Sequence, residues 1–312
     1  MPKKFLSITD LSTDELRILV NKTVTFSQRK NPQNLLIGKN VGIYFNRPST
    51  RTRTSFTLAA SNLGASVITY RPDELQLTTG ETIEDTAWVL GEYLDILVIR
   101  CNYVSEAQIF TAPNKMSVIN ALSNEEHPTQ TIADLATLQE KFNHLEGIKV
   151  LFMGEGGNIA TSFLLAASRI PQMELTFITP SKYGFKEQVI RQAKELAKES
   201  SARIFYHHNP QELPEAVDVV YTTRWRSMGE EKLDREWLKN FQGFQVTKNL
   251  LDQVSHSSTI LMHDLPAERG AEVDYEVLED ERSVIAQQAR NKYTSAKAIL
   301  AWCCDGVDSS HF

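Results

Sequence analysis

The chain has 312 residues, 41% of them hydrophobic and 23% charged, the proportions of a globular protein with apolar material for about two domains of ordinary size. Its 33 basic and 39 acidic residues leave a net charge of −6 with histidine neutral, and the cations are dispersed, which argues against a general nucleic-acid surface. Three cysteines, Cys101, Cys303 and Cys304, make no disulfide framework, no stretch approaches the roughly 20 apolar residues of a membrane span, and MPKKFLSITD has no signal-like apolar core, so a cytoplasmic protein is expected.

In chain order, LSTDELRILVNKTVTFSQ (11–28) opens on hydroxyl and acidic caps and repeats apolar residues at helical spacing. NVGIYF (40–45) is a short β-prone run, and TSFTLAASNLG after it reads as a helix stopped at Gly64. ASVITY (65–70) and LDILVIR (94–100) are buried-strand candidates separated by the helical rhythm of TIEDTAWVLGEY. KMSVINA (115–121) adds a strand before a helix over 129–145. The pattern then restarts with strand, Gly-rich turn and helix over 147–170. ELTFITP, ARIFYHH, VDVVYTT and STILMHDL supply strands, FKEQVIRQAKELAKES a charged amphipathic helix, and roughly 283–304 a last helix. Such alternation predicts an α/β protein of two doubly wound parallel-sheet domains. Their expected limits are 1–146 and 147–282, connected by the 129–145 helix, with the C-terminal helix (about 283–312) packing back on the first.

The chemistry concentrates at FNRPSTRTRTSF (45–56), where a strand runs into a hydroxyl-rich turn that opens a helix. Backbone N–H groups and the positive end of the helix dipole meet an anion at such a junction. Ser49, Thr50 and Thr52 add hydroxyl donors, and Arg51 can grip two oxygens at once. A capped helix with solvated arginines is the plainer alternative, and the clustering favours a phosphate site. MGEGGN (153–158) is a second strand–turn–helix junction that suggests a dinucleotide site. It lacks the third glycine of G-x-G-x-x-G, and a nicotinamide-dependent dehydrogenase would leave STRTRT and HPTQ without roles.

STRTRTSF is similar to the carbamoyl-phosphate motif of the aspartate and ornithine carbamoyltransferase family. Other landmarks follow in collinear order: LQLTTGETIEDTAWVL (75–90), VIR ending at Arg100, HPTQ (127–130), SMG (227–229) and HDLPAERGAEV (263–273). The resemblance implies a carbamoyl-phosphate domain and an acceptor amino-acid domain with the active site in the cleft, no cofactor, no metal and a homotrimer. It implies that Ser49, Thr50, Arg51 and Thr52 hold the phosphate. Arg100 and His127 would face the carbamoyl oxygen and Gln130 its NH2, with Leu265 and Arg269 completing the site and Gln76 reaching in from a neighbouring subunit. Asn158, Ser227 and Met228 would contact the acceptor amino acid.

Two acceptor positions depart from the ornithine branch. Thr223 stands where ornithine enzymes carry Asp, and YTTR resembles the aspartate enzymes, whose arginine at the place of Arg224 binds a carboxylate. Arg226 adds a second cation, so a carboxylate is expected to be read there, with solvated arginines as the alternative. Asp264 stands where ornithine enzymes carry Cys and aspartate enzymes Leu. It is expected either to pair with or deprotonate the acceptor amine, or only to cap the following turn. The expected reaction is carbamoyl transfer to ornithine or a modified or shorter diamino acid. An aspartate-type enzyme, a dehydrogenase and a non-catalytic relative are the alternatives.

Overall fold

The computed structural model describes residues 1–28, 34–226 and 236–304. The chain divides into two compact units, Met1–Gln139 with Arg290–Phe312, and Glu140–Ala289.

The first unit holds a five-stranded parallel sheet. Its elements are β1 (Lys4–Phe5), α1 (Thr13–Gln28), β2 (Asn40–Phe45), α2 (Arg51–Asn62), β3 (Ser66–Tyr70), α3 (Ile83–Tyr93), β4 (Ile96–Arg100), α4 (Val104–Ile109) and β5 (Ser117–Leu122). The order is β1-β5-β4-β2-β3. β4 is buried at every position, as its uninterrupted ILVIR predicts for a strand covered on both faces. The chain leaves β2 toward β3 on one side and returns to β4 on the other. The β2/β4 junction is therefore where strand order reverses, and the crevice beyond strand C-termini at such a point is the general ligand position of open α/β sheets. Phe45 and Arg100 are paired across it.

The second unit repeats the plan. After α5 (Pro128–Phe142) come β6 (Lys149–Met153), α6 (Asn158–Ala167), β7 (Glu174–Ile178), α7 (Glu187–Ser200), β8 (Arg203–His207), β9 (Val217–Thr222), α8 (Lys248–Val254), β10 (Ser255–His263) and α9 (Ile285–Cys304). The sheet is again all parallel, in the order β10-β9-β6-β7-β8, so its reversal lies between β6 and β9. Phe152, Phe177 and Tyr221 meet in its core with ring centroids 5.1–5.3 Å apart. α5 and α9 each have residues in both units.

Every long element expected from periodicity is present. β1, α4 and α8 were not anticipated: two, six and seven residues are too few to display a period. No helix among the described residues is long and apolar enough to cross a membrane.

Candidate active site

In the first unit, β2 delivers the chain to residues 46–50 and α2 begins at Arg51. Thr50, at the N-cap, makes no side-chain capping bond. The hydroxyl there is not spent on closing the helix, and the first-turn N–H groups have no preceding helical turn to bond to. Ser49 and Arg51 are half-buried, Thr50 is exposed and Thr52 is buried.

Arg100 ends β4 with only 4% of its surface exposed, and its Nε has no hydrogen-bond partner. Its pKa is lowered to about 10, first by burial and then by repulsion from Arg47 and Arg51. His127, at the start of α5, is buried and held well below the ordinary histidine range by burial, then by Lys292, Arg100 and Arg51 in that order. The charges acting on both groups are thus cations. A neutral histidine amid guanidinium and ammonium groups makes a strongly positive crevice, which suits a small anion.

Lys292, on α9, was not anticipated. Its Nζ lies 3.1 Å from His127 Nε2 and also contacts Gln130 Oε1. An ammonium only donates, so Nε2 accepts and the ring proton sits on Nδ1, 3.3 Å from Thr129 Oγ1. Gln130 is fixed in turn by donating from Nε2 to Asp134 Oδ1 at 2.8 Å. The sequence around it, QQARNKYTSAK, is polar and gives no signal; its burial, an expensive place for an ammonium without a polar purpose, is seen only in the structure. The resemblance set Arg269 at the carbamoyl group. Within the second unit Arg269 donates to Tyr275 O (3.1 Å) and pairs with Glu279 (3.2 Å) on an exposed loop; within the first unit the cation beside His127 and Gln130 is Lys292.

Gln76 is exposed, and its Oε1 accepts from Thr79 Oγ1 at 2.6 Å within a single 3-10 turn.

In the second unit, the ends of β6, β9 and β10 place Asn158, Thr223, Arg224 and Asp264 around the sheet's reversal. Asn158 opens α6 and is buried. Thr223 donates from Oγ1 to Asp264 Oδ1 at 2.7 Å, so the two altered acceptor positions are bonded to each other. Asp264 keeps 13% of its side chain exposed. Arg224 is bound to Glu268, at 3.3 Å from Nε and 3.0 Å from NH2. The carboxylate it reads here is the chain's own, in a surface pair worth about 0–1 kcal/mol that an incoming carboxylate can replace. Arg226 is exposed. Ser227 and Met228 lie outside the described residues.

The Gly-rich turn has a packing explanation. A Cβ on Gly156 would stand 2.7 Å from both Gly184 C and Phe185 N, backbone against backbone, and Gly156 N–H donates to Tyr183 O at 2.8 Å. Gly154 has φ +134°, where side chains are strained. These glycines let two chain segments touch, and no dinucleotide is needed to account for them.

Known proteins share this fold. The model of the aspartate/ornithine carbamoyltransferase carbamoyl-P binding domain matches residues 3–140, and that of the Asp/Orn binding domain matches 146–303. An ornithine carbamoyltransferase of Caldicellulosiruptor saccharolyticus is 37% identical over 307 residues, covering 97% of this chain and 99% of the relative. That of Hyperthermus butylicus is 39% identical over 304 residues, covering 96% of each. The solved ornithine carbamoyltransferase from Pyrococcus furiosus superposes with a TM-score of 0.91 at 34% identity, covering 98% of each chain. The anabolic enzyme of Campylobacter jejuni gives 0.89 at 35%, covering 96% of this chain and 98% of that one. These matches do not favour the dehydrogenase or the non-catalytic relative. With two family domains spanning nearly its whole length, the chain is a carbamoyltransferase and belongs to the aspartate/ornithine carbamoyltransferase family.

Proposed function

We propose that this carbamoyltransferase moves the carbamoyl group of carbamoyl phosphate to an amino group of ornithine or an ornithine-like amino acid, releasing phosphate. The observation that carries the reading is the convergence of Arg51, Arg100 and Lys292 on a neutral, buried His127, with Arg47 close enough to act on Arg100. A neutral amine attacks the carbamoyl carbon, an oxyanion develops, and a doubly charged phosphate leaves. Negative charge grows at both ends of the breaking bond. Preorganised cations in a crevice shielded from water stabilise that growth more than they stabilise the substrate.

In this assignment Ser49, Thr50, Arg51, Thr52 and the N–H groups of α2 hold the phosphoryl oxygens. Arg100 and Lys292 donate to the carbamoyl oxygen or the bridging oxygen, His127 lies beside them and holds Lys292 through Nε2, and Gln130 reads the NH2. Leu265 contributes its backbone carbonyl. Asn158, Arg226, Ser227 and Met228 bind the amino-acid end of the acceptor, and Arg224 exchanges Glu268 for the acceptor's carboxylate. Asp264, steadied by Thr223, faces the amine and accepts its proton.

The deciding experiment mixes the protein with carbamoyl phosphate and a panel of ornithine, shorter and N-modified diamino acids, aspartate and a no-amine control. Phosphate release and ureido product are measured. Release with a diamino acid supports the reading. Fast citrulline formation at ordinary ornithine affinity makes ornithine itself the acceptor and removes any need for a modified one. Release with aspartate alone, or with none, refutes the proposal.

We further propose a cytoplasmic homotrimer in which Gln76 serves a neighbouring subunit. Leu58, Ile68, Trp88 and Tyr93, exposed by 46–64% on the first unit, supply apolar surface of the kind that marks an interface. Light scattering that gives a monomer at working concentration would remove this assembly.

A further inference from the structure

The loop that follows β10 carries Asp264 and Leu265, and a pair of fully buried ionisable side chains lies beneath it. His263 and Glu272 have side-chain exposures of 0% and 1%. His263 Nδ1 accepts the N–H of Leu265 at 2.8 Å, which leaves the ring proton on Nε2, 3.1 Å from Glu272 Oε1. The same Oε1 accepts the N–H of Glu268 at 2.6 Å. The His263 backbone is anchored separately, through its N–H to Gln288 Oε1 at 2.9 Å.

Two features speak against a merely structural pair. Glu272 Oε2 is buried with no hydrogen-bond partner, and Oε1 carries both contacts. A half-satisfied buried carboxylate disfavours folding relative to an apolar replacement. Leu265, moreover, sits at φ +59°, a region that non-glycine residues leave unless something holds them, and what holds it is His263.

We propose that His263 and Glu272 are positioning residues for the transfer reaction. One imidazole and one carboxylate oxygen pin the backbone of 264–268 at both ends, at Leu265 through the ring and at Glu268 directly. Asp264 is presented between the anchored His263 backbone and the Leu265 pin, its Oδ1 taking the Thr223 hydroxyl and lying 3.8 Å from His263 Nδ1. At the second pin the Glu268 side chain meets Arg224. Neither residue touches substrate. The inference rests on the carbamoyl-transfer reading for its functional half and on geometry alone for its positional half.

The two nitrogens of His263 can be replaced one at a time. In His263→Asn the carboxamide stands near Nδ1 and keeps an acceptor for Leu265, losing Glu272. In His263→Gln it reaches toward Glu272 and abandons Leu265. Amide exchange resolved at Leu265 and Glu268 in the full chain, melting curves, carbamoyl-phosphate binding and steady-state turnover are measured for both variants and for Glu272→Gln. Expected for His263→Gln is Leu265 exchange at least about tenfold faster. Its kcat falls about a hundredfold, the penalty of misplacement by about 1 Å, while inorganic-phosphate affinity, titrated alongside, is unchanged. His263→Asn keeps Leu265 protected and recovers most of the lost kcat. A structural role alone predicts equal losses in the two variants that follow their melting temperatures, and that result overturns the proposal. So does a wild-type Leu265 amide exchanging at the rate of an unstructured chain, a test that holds even if a variant fails to fold. If the wild type protects both amides but transfers carbamoyl to no amine, the functional reading has failed while the positional half stands. If the wild type turns over and His263→Gln matches it, the positioning inference alone is lost.

Discussion

Lys292 Nζ lies 3.1 Å from His127 Nε2, although both groups are buried and Lys292 lowers the histidine's proton affinity. Their proximity assigns protons: the ammonium keeps its hydrogens and the imidazole serves as acceptor. Substituting Lys292→Met should therefore weaken carbamoyl-phosphate or inorganic-phosphate binding by about tenfold to a hundredfold, equivalent to one charge-assisted hydrogen bond of about 1.5–3 kcal/mol. Calorimetric titration reads it. Unchanged affinity would assign Lys292 to the fold rather than the ligand.

Stability should carry the mark of His127. Its folded-state pKa is depressed, so below the ordinary value of 6.5 the unfolded chain takes up a proton that the folded chain refuses. Stability is present above that value and is lost as pH falls through it. The loss from this group is about 1.4 kcal/mol at about pH 5.5 relative to about pH 7.5. Urea denaturation of wild type and His127→Gln at the two pH values isolates it: the glutamine variant should lose correspondingly less. Parallel losses would mean that His127 titrates normally.

At the acceptor end, Asp264→Asn should depress kcat at saturating ornithine-like acceptor by about a hundredfold or more, as expected for loss of a general base, and leave carbamoyl-phosphate binding intact. Thr223→Val should cost less, about tenfold, because it removes one hydrogen bond of the order of 1 kcal/mol and leaves the carboxylate in place. Steady-state kinetics and a carbamoyl-phosphate titration check the ordering. Equal turnover for Asp264→Asn and wild type would reduce Asp264 to a turn cap.

Gly156→Ala should destabilise the second unit by about 1–3 kcal/mol, since the new methyl meets backbone that cannot rotate away. Phosphate affinity should be unaffected. A neutral effect on denaturation would show that segments 156 and 184–185 separate at little cost.

The parts of this site written as local sequence were legible from it. STRTRT was legible as a strand-to-helix junction, the setting in which helix N-termini and hydroxyl donors act within one turn. Arg100 is recognisable as the last residue of a buried strand. What escaped was built over long range. Lys292 reaches His127 across 165 positions, and nothing in the local text of α9 names its partner. The local partners of Arg269 were equally hidden: order along the chain locates its loop but not the direction of its guanidinium, which Tyr275 O and Glu279 take up. The Thr223–Asp264 bond joins two separately noted departures, and only the adjacent C-terminal ends of β9 and β10 reveal them as one feature.

Arg100 buries an Nε donor that no described protein atom receives, and Arg47 and Arg51 repel its charge. A small dianion bound there would take that donor and offset the repulsion from outside the polypeptide. The phosphoryl end of the substrate and the liberated phosphate answer the same electrostatic demand. The force that captures the donor molecule also slows departure of the by-product, and throughput becomes sensitive to the surrounding phosphate level.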